Sequence, residues 1–207
     1  MNRKIWKALG IAVCMLALAA PRAMAETHRV GSEKQFKDAV EAINKPGDAK
    51  NEIVLMQDIT LGGNPNEYTL YTLSRGNTTI KGGGNKITIS NAGITVTGEG
   101  TVLNLGAQDY KGTLTIDGDE NAPTGPFVDI SNGATANMYE NVTLQNRQQV
   151  DQACVVLEEN SVFNMHGGVI EKCSRAVIAD SGATFHMLSG EIKDCEVNGD
   201  GVISVNG

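Results

Sequence analysis

The chain is poor in aromatic residues and in proline: aromatic residues make up 4% of its 207 positions, and there are only 5 prolines. No acidic residue occurs among the first 25 positions, which contain four basic ones. The whole chain nevertheless has a net charge of −7. Without that segment, 13 basic residues stand against 24 acidic ones, a net charge of −11. Because such a surface repels phosphate backbones, we expect no nucleic-acid partner.

The N-terminal segment is typical of an export signal. Basic residues precede an apolar run over residues 8–20, and residues 23–25 (Ala-Met-Ala) match the small-x-small pattern that signal peptidase recognises. The run is too short to cross a bilayer as a stable helix. We therefore predict a signal peptide over residues 1–25 and an extracellular or cell-surface protein with no transmembrane segment after signal removal. A short membrane anchor or a buried helix is the alternative.

One amphipathic helix is predicted directly after the signal. Ser32 and Gln35 have the spacing of a capping box, in which each side chain bonds a free backbone amide of the first turn. Apolar residues then recur with helical spacing from Phe36 to Ile43, before Pro46 ends the pattern. We assign residues 26–51 to an N-terminal helical cap.

The remaining residues, 52–207, are predicted to be all-β. The apolar period falls to two, and short β-rich runs are bounded by Gly or Asn, without an intervening helical pattern. The clearest runs are Ile53–Met56, Ile59–Leu61, Thr78–Ile80, Lys86–Ser90, Ile94–Thr97, Thr101–Leu105, Thr113–Ile116 and Phe127–Ile130. The 24 glycines of the chain also disfavour a helical bundle.

An internal repeat predicts how these strands are arranged. Val156–Cys173 aligns with Ile178–Cys195 at an offset of 22. Residues 135–138 match 162–165 at an offset of 27, and 202–203 match 177–178 at 25. The repeat pairs Phe163 with Phe185, Met165 with Met187, and Glu171 with Lys193. Such offsets indicate a β-solenoid whose stacked coils place equivalent residues in ladders. A β-sandwich with coincidental similarity is the alternative.

The repeat also brings candidate ligand-binding residues together. Asn137, Asn164 and His186 share one outward register, between the predicted inward ladders. Glu158 stacks over Asp180, the one carboxylate pair that the alignment builds, and such a pair could bind a cation or raise the pKa of one carboxyl group. Two solvated acids at a turn are the plainer interpretation of that pair.

Segment 182–195, GATFHMLSGEIKDC, resembles the coils of right-handed parallel β-helix (pectin-lyase-like) domains in bacterial secreted and surface proteins of the adhesin type. Phe36–Ile43 followed by Glu52–Thr60 is similar to the cap helix and first coil of such domains. The resemblance implies a right-handed parallel β-helix, with coils of about 22–27 residues, behind an N-terminal amphipathic capping helix. That fold hosts lyases, hydrolases and adhesins alike, so it does not select one function.

Catalytic motifs of these relatives are incomplete in this chain. The resemblance implies, for polygalacturonase-like enzymes, three aspartates, a Gly-His-Gly and an Arg-x-Lys. Here His166 is followed by two glycines but preceded by Met165, and no Arg-x-Lys occurs. We therefore predict no catalytic residue.

One acidic segment has some features of a calcium loop. Asp117, Asp119 and Asn121 supply oxygen atoms at positions 1, 3 and 5, but Ala122 and Val128 occupy the positions where an EF-hand has Gly and Glu. A polar loop is the favoured interpretation and calcium binding the alternative; no other cofactor is expected.

Signal removal takes away Cys14 and leaves Cys154, Cys173 and Cys195, an odd number for an exported chain. Cys173 and Cys195 occupy equivalent places on adjacent coils, with Cα atoms expected roughly 5 Å apart, within the disulfide range. A Cys173–Cys195 disulfide is one prediction, and an inward ladder of reduced cysteines is the other.

Two classes of function remain. The first is a non-enzymatic surface or secreted protein, an adhesin or stalk that contacts a glycan or a host protein. The second is a polysaccharide lyase or glycoside hydrolase. Residues 201–207 enter a coil that the chain does not complete, so we expect a piece of a longer protein. Its downstream coils or anchor would then be further partners. A short protein capped by a partner is the alternative. The aromatic residues expected at the surface, as sugar platforms, are Tyr68, Tyr71, Tyr110 and Tyr139.

Overall fold

The computed structural model describes residues 25–46, 50–64, 66–119, 125–148, 152–195 and 201–206. These residues form one helix, α1 (Glu33–Ile43), and 19 strands. The strands are β1 (Glu26–Val30), β2 (Lys50–Leu55), β3 (Ile59–Leu61), β4 (Thr69–Leu73), β5 (Asn77–Lys81), β6 (Asn85–Ile89), β7 (Ala92–Thr97), β8 (Val102–Leu105), β9 (Leu114–Gly118), β10 (Val128–Ser131), β11 (Thr135–Met138), β12 (Val142–Gln145), β13 (Ala153–Leu157), β14 (Val162–Met165), β15 (Val169–Glu171), β16 (Arg175–Ala179), β17 (Thr184–Met187), β18 (Glu191–Lys193) and β19 (Ile203–Val205).

The strands form three parallel sheets. Sheet A has the order β1-β2-β5-β8-β11-β14-β17, sheet B has β3-β6-β9-β12-β15-β18, and sheet C has β4-β7-β10-β13-β16-β19. From β2 onward, three consecutive strands therefore supply one strand to each sheet, and the next three strands repeat the circuit. The chain is mostly β and all-parallel, as predicted, and the arrangement is compatible with a β-solenoid.

Most of the predicted register is confirmed. Phe163 pairs with Phe185 and Met165 with Met187, while Thr135–Met138 pairs with Val162–Met165. The register predicted at the last strand is wrong by one residue, because Val177 pairs with Ile203 rather than with Val202. The segment around Ile203 is apolar on both faces, so the alternation that normally prevents a one-residue slip is missing there.

Helix α1 begins at the predicted cap. The hydroxyl of Ser32 accepts a hydrogen bond from the Gln35 amide at 3.3 Å, and the Gln35 side chain accepts one from the Gly31 amide at 2.7 Å. The apolar face of α1, from Phe36 to Ile43, is buried against β1–β4. The segment predicted as a helical cap also contains β1, which pairs with β2 and was not expected.

The inward side chains of the three sheets form one continuous hydrophobic core. Along sheet A, Ile53, Ile80, Leu105, Met138 and Met165 stack in consecutive circuits, and each is at most 1% exposed. Each circuit buries its apolar residues against its two neighbours, so the stability of a circuit depends mainly on them.

The predicted disulfide between Cys173 and Cys195 is wrong. Cys173 is bonded to Cys154, with Cα atoms 6.6 Å apart, and Cys195 is a free thiol. Strands β13 and β16 are paired, so the inward side chain of Cys154 lies beside the turn in which Cys173 precedes β16. The repeat alignment could not show this proximity, because the two residues occupy different positions of the repeat.

Among the described residues, no helix has the length and hydropathy needed to cross a membrane.

Candidate functional site

The outer face of sheet A has a ladder of polar side chains, which we call the asparagine ladder: Asn104, Asn137, Asn164 and His186. The Asn137 amide donates to the Asn104 side-chain oxygen at 2.9 Å, and the Asn164 amide donates to Asn137 at 2.9 Å. Nδ1 of His186 lies 3.0 Å from the Asn164 oxygen. The ladder forms because these residues alternate with buried ones and their strands pair in register. The structure thus brings the predicted Asn137, Asn164 and His186 together.

The ladder keeps hydrogen-bonding capacity toward solvent. A side-chain amide has two N–H donors and an oxygen with two lone pairs. The Asn137 side chain uses one donor and one acceptor on its neighbours, and it is only half-buried. One N–H and one lone pair of this amide are therefore free to meet a ligand that lies along the sheet.

Aromatic and charged side chains border the ladder. Tyr139 stacks on His166 with ring centroids 5.1 Å apart and an interplanar angle of 9°. Lys81, at the end of β5, lies 5.4 Å from the ring centroid of Tyr110. It also forms an ion pair with Glu52 at 2.6 Å. This edge of the sheet therefore combines flat apolar surfaces with a neutralised ion pair.

A concavity of about 270 Å³, the sheet A groove, opens at the β1 end of this face. Its lining residues are Ala25, Lys50, Asn51, Glu52, Asn77, Thr79, Asn104, Ala107 and Tyr139. The amide of Asn104 donates to Asn77 at 2.6 Å and to Thr79 at 3.3 Å, so the asparagine ladder continues into the groove. Sequence reasoning missed most of these residues. Extending the ladder register upstream would have found Asn104, but no sequence signal pointed to Lys50 or Ala25.

The predicted carboxylate pair, Glu158 and Asp180, lies away from the asparagine ladder, in the turns that follow sheet C. Glu158 and Asp180 follow paired residues of β13 and β16 and line a concavity of about 600 Å³ together with Glu159. Nearby, burial raises the pKa of Asp129 to about 6, with further contributions from the carboxylates of Glu158 and Asp180. One oxygen of Asp129 is buried and accepts no hydrogen bond from the described part of the chain. This acidic site can hold a proton near pH 6.

The proposed calcium ligands are engaged otherwise. One oxygen of Asp117 accepts hydrogen bonds from Gln145 at 3.2 Å and Asn146 at 2.6 Å, and the other contacts Lys86 at 3.1 Å. Asp117 therefore links three circuits of sheet B. Ser90 donates to Asp119 at 3.2 Å. Asn121 lies outside the described residues. Among the described residues, no group of three or more His, Cys, Asp or Glu side chains is placed to hold a metal ion.

The aromatic residues expected at the surface divide into two groups. Tyr139 lines the sheet A groove, Tyr110 lies beside Lys81, and Tyr68 is 37% exposed beside sheet C. The expectation for Tyr71 is wrong, because only 3% of this residue is exposed and its hydroxyl donates to Glu33 at 2.7 Å. Its ring lies edge-on to Phe36, so Tyr71 joins α1 to the core.

One buried cation was not predicted. Arg147 is 1% exposed, donates to the Gly125 carbonyl, and has its guanidinium 5.5 Å from the centroid of Phe127. Two of its nitrogen atoms have no hydrogen-bond partner among the residues that the structure describes, and burial lowers its pKa. Gln145 pairs with Glu171, and Arg147 and Cys173 each lie two residues later. Arg147 therefore has the same place in its circuit that Cys173 has in the next one.

No protein-family model matches the chain, and neither a curated protein nor a solved structure matches it.

Proposed function

We propose that the chain is an exported, right-handed parallel β-helix of the pectin-lyase-like type that binds glycans, without cleaving them, on the outer face of sheet A. It would act as an adhesin or stalk at the cell surface or outside the cell. Export is supported by the N-terminal sequence pattern. The β-helix is supported by the three-strand circuit and by residue ladders at the predicted offsets.

The observation that carries the binding proposal is the asparagine ladder beside the stacked Tyr139–His166 pair. Sugars present hydroxyl groups, which amides bind as both donors and acceptors, and C–H faces, which pack on aromatic rings. Both kinds of partner lie side by side here and continue into the sheet A groove. A groove of about 270 Å³ is at the small end of ligand sites, which suits a short part of a chain rather than a large compact ligand.

The repetition of the ladder favours an extended ligand. Adjacent strands of a sheet lie roughly 4.8 Å apart, so equivalent amides recur at that spacing along the stack. A glycan chain lying along the stack would meet the same donor and acceptor at successive circuits. Several weak contacts made by one chain add to a useful affinity although each alone is small.

The test is glycan binding by residues 26–207, measured by calorimetry after a screen of neutral and acidic oligosaccharides. Tyr139→Ala should weaken binding about tenfold, because it removes the aromatic face. Asn137→Ala should weaken it too, with circular dichroism to check that the fold persists. Tyr68→Ala is the matched control, since this exposed tyrosine lies beside sheet C. If no glycan binds, or if the control weakens binding equally, the proposal fails.

Cleavage at the acidic site is the second candidate, and the raised pKa of Asp129 favours it. A carboxyl group that is protonated near pH 6 beside other carboxylates is suited to acid–base catalysis. Residues 26–207 should be incubated with polygalacturonate and other acidic glycans, with and without calcium, while reducing ends and 4,5-unsaturated products are followed. Turnover that is lost in Asp129→Asn or Glu158→Gln would replace the binding proposal with an enzymatic one.

A further inference from the structure

The predicted signal cleavage site lies at the wall of the sheet A groove. Strand β1 pairs with β2 so that Glu26 faces Asn51 and Thr27 faces Glu52, which places Ala25 beside Lys50. Both Ala25 and Lys50 line the groove, and both are exposed. The peptide bond between Ala25 and Glu26 is therefore within one residue of the candidate glycan site.

Cleavage of that bond would change the chemistry of the groove. Water adds to the Ala25 carbonyl carbon, the C–N bond breaks, Ala25 departs as the carboxylate end of the signal peptide, and the Glu26 nitrogen takes up protons. An α-amino group has an ordinary pKa of about 8, so near neutral pH this nitrogen is mostly an ammonium. The wall that Ala25 contributes is removed, and a positive charge appears close to where it was.

We propose that export processing completes the sheet A groove. Removal of residues 1–25 opens its β1 end and places the α-ammonium of Glu26 beside Lys50, so that two cations bind an anionic group, a carboxylate or a sulfate, on the glycan. This inference rests on the proposed function, since it requires both export and glycan binding at this face.

The charges around the groove support an anionic ligand. Lys81 is already neutralised by Glu52 at 2.6 Å. Lys50, in contrast, forms no ion pair within the described part of the chain. The net charge of residues 26–207 is −11, so two adjacent free cations are an exception that attracts an anion to this position.

Other titratable groups face the new terminus, and the test must account for them. The Glu26 carboxylate is exposed and lies 3.9 Å from the imidazole of His28. From β2, Lys50 and Glu52 face the terminus. An α-amino group ordinarily loses its charge near pH ~8, so between pH 7.5 and pH 9 the new terminus changes from mostly charged to mostly neutral.

The experiment compares three forms of the protein: one beginning at Glu26, one retaining residues 20–25, and the first form with Lys50→Gln. The probes are an oligogalacturonate for carboxylates, dextran sulfate for sulfates, and cellotetraose as a neutral glycan. Binding is measured by calorimetry at pH 7.5 and pH 9. Arg29→Gln is the matched control, because it removes a positive charge from β1 at a residue that does not line the groove.

We expect the form beginning at Glu26 to bind one of the anionic probes about tenfold more tightly than the other two forms at pH 7.5. Its advantage over the extended form should fall at pH 9, where the terminus is mostly neutral and only the opening of the groove remains, while Arg29→Gln should bind like the unmodified form at both values. Equal binding by the processed and extended forms, or preference for cellotetraose, would refute the inference and leave the glycan proposal intact. Failure of every form to bind any probe would refute both.

Discussion

The disulfide between Cys154 and Cys173 provides a strong test of the structure. It joins two adjacent circuits and encloses a sequence separation of 19 residues. Closing a loop of that length removes chain entropy from the unfolded state worth about 3 kcal/mol. Cys154→Ala and Cys173→Ala should each lower the free energy of unfolding by about that amount. Because both remove the same bond, the double variant should lose much less than the sum.

The matched control is Cys195→Ala. Cys195 is a free, half-buried thiol on the following circuit, so its removal costs only a little packing. Stability is measured by urea unfolding without reductant, and hydrogen exchange locates the change. In the variants that lack the bond, exchange should rise first in β13, β15 and β16 and little in α1, because each circuit depends mainly on its neighbours.

Thiol titration gives an independent outcome. The unfolded protein over residues 26–207 should have one reactive thiol, that of Cys195, and Cys195→Ala should have none. Two outcomes would refute the assignment. One is three titratable thiols in protein purified from an oxidising compartment. The other is a large loss of stability in Cys195→Ala together with none in Cys154→Ala, which would indicate the Cys173–Cys195 pairing instead.

Three further predictions concern the core and the acidic site. Phe163→Ala, which removes a buried ring stacked on Phe185 at 5.5 Å, should cost about 3–5 kcal/mol in urea unfolding, and Phe185→Ala less, since this ring is only partly buried. The pKa of Asp129 is raised from 3.8 to about 6, so the folded state binds its proton more tightly and stability is lost as the pH rises through that window. Asp129→Asn should therefore stabilise the protein at pH 7.5, by about 1 kcal/mol for a half-buried group, but not at pH 4. The control Glu99→Gln should leave the stability unchanged at both pH values. Equal gains for Asp129→Asn at both pH values would contradict the reasoning. Arg147→Met should be neutral or stabilising by about 1–3 kcal/mol in thermal unfolding, because two buried N–H groups lose their desolvation cost, and a large loss would show that they have partners in solution.

The strand order could be predicted from the sequence where equivalent residues stack in sheet A. Phe163 and Phe185 are identical and inward, so their alignment specified the pairing of β14 with β17. Strand β4 was missed because it has no similar repeat, and its Tyr71 was expected at the surface. Burial of that ring depends on α1, in which Glu33 accepts a hydrogen bond from the Tyr71 hydroxyl. Because the two residues are 38 positions apart, this contact does not affect the local periodicity of the sequence.

The candidate site could be predicted only in part, because only some of its residues recur in the sequence repeat. Asn137, Asn164 and His186 were found because ladder residues share a register. The sheet A groove depends instead on dissimilar residues. Lys50 pairs with Asn77, and Asn77 pairs with Val102, so one register position holds a cation, an amide and an apolar side chain. Repeat alignment, which compares side chains, does not find such positions.

The two candidate sites differ in charge, and that difference favours binding over cleavage for an acidic glycan. The turns after sheet C place Glu158, Glu159 and Asp180 around one concavity, next to the partly protonated Asp129. Among the described residues, the lining of that concavity presents carboxylates and no cation to an approaching anionic chain. The sheet A groove offers Lys50 and neutral amides on a chain that is otherwise strongly acidic. Under the proposed function, long-range repulsion from the rest of the surface would direct an acidic glycan toward the asparagine ladder, where its contacts would be hydrogen bonds and ring stacking.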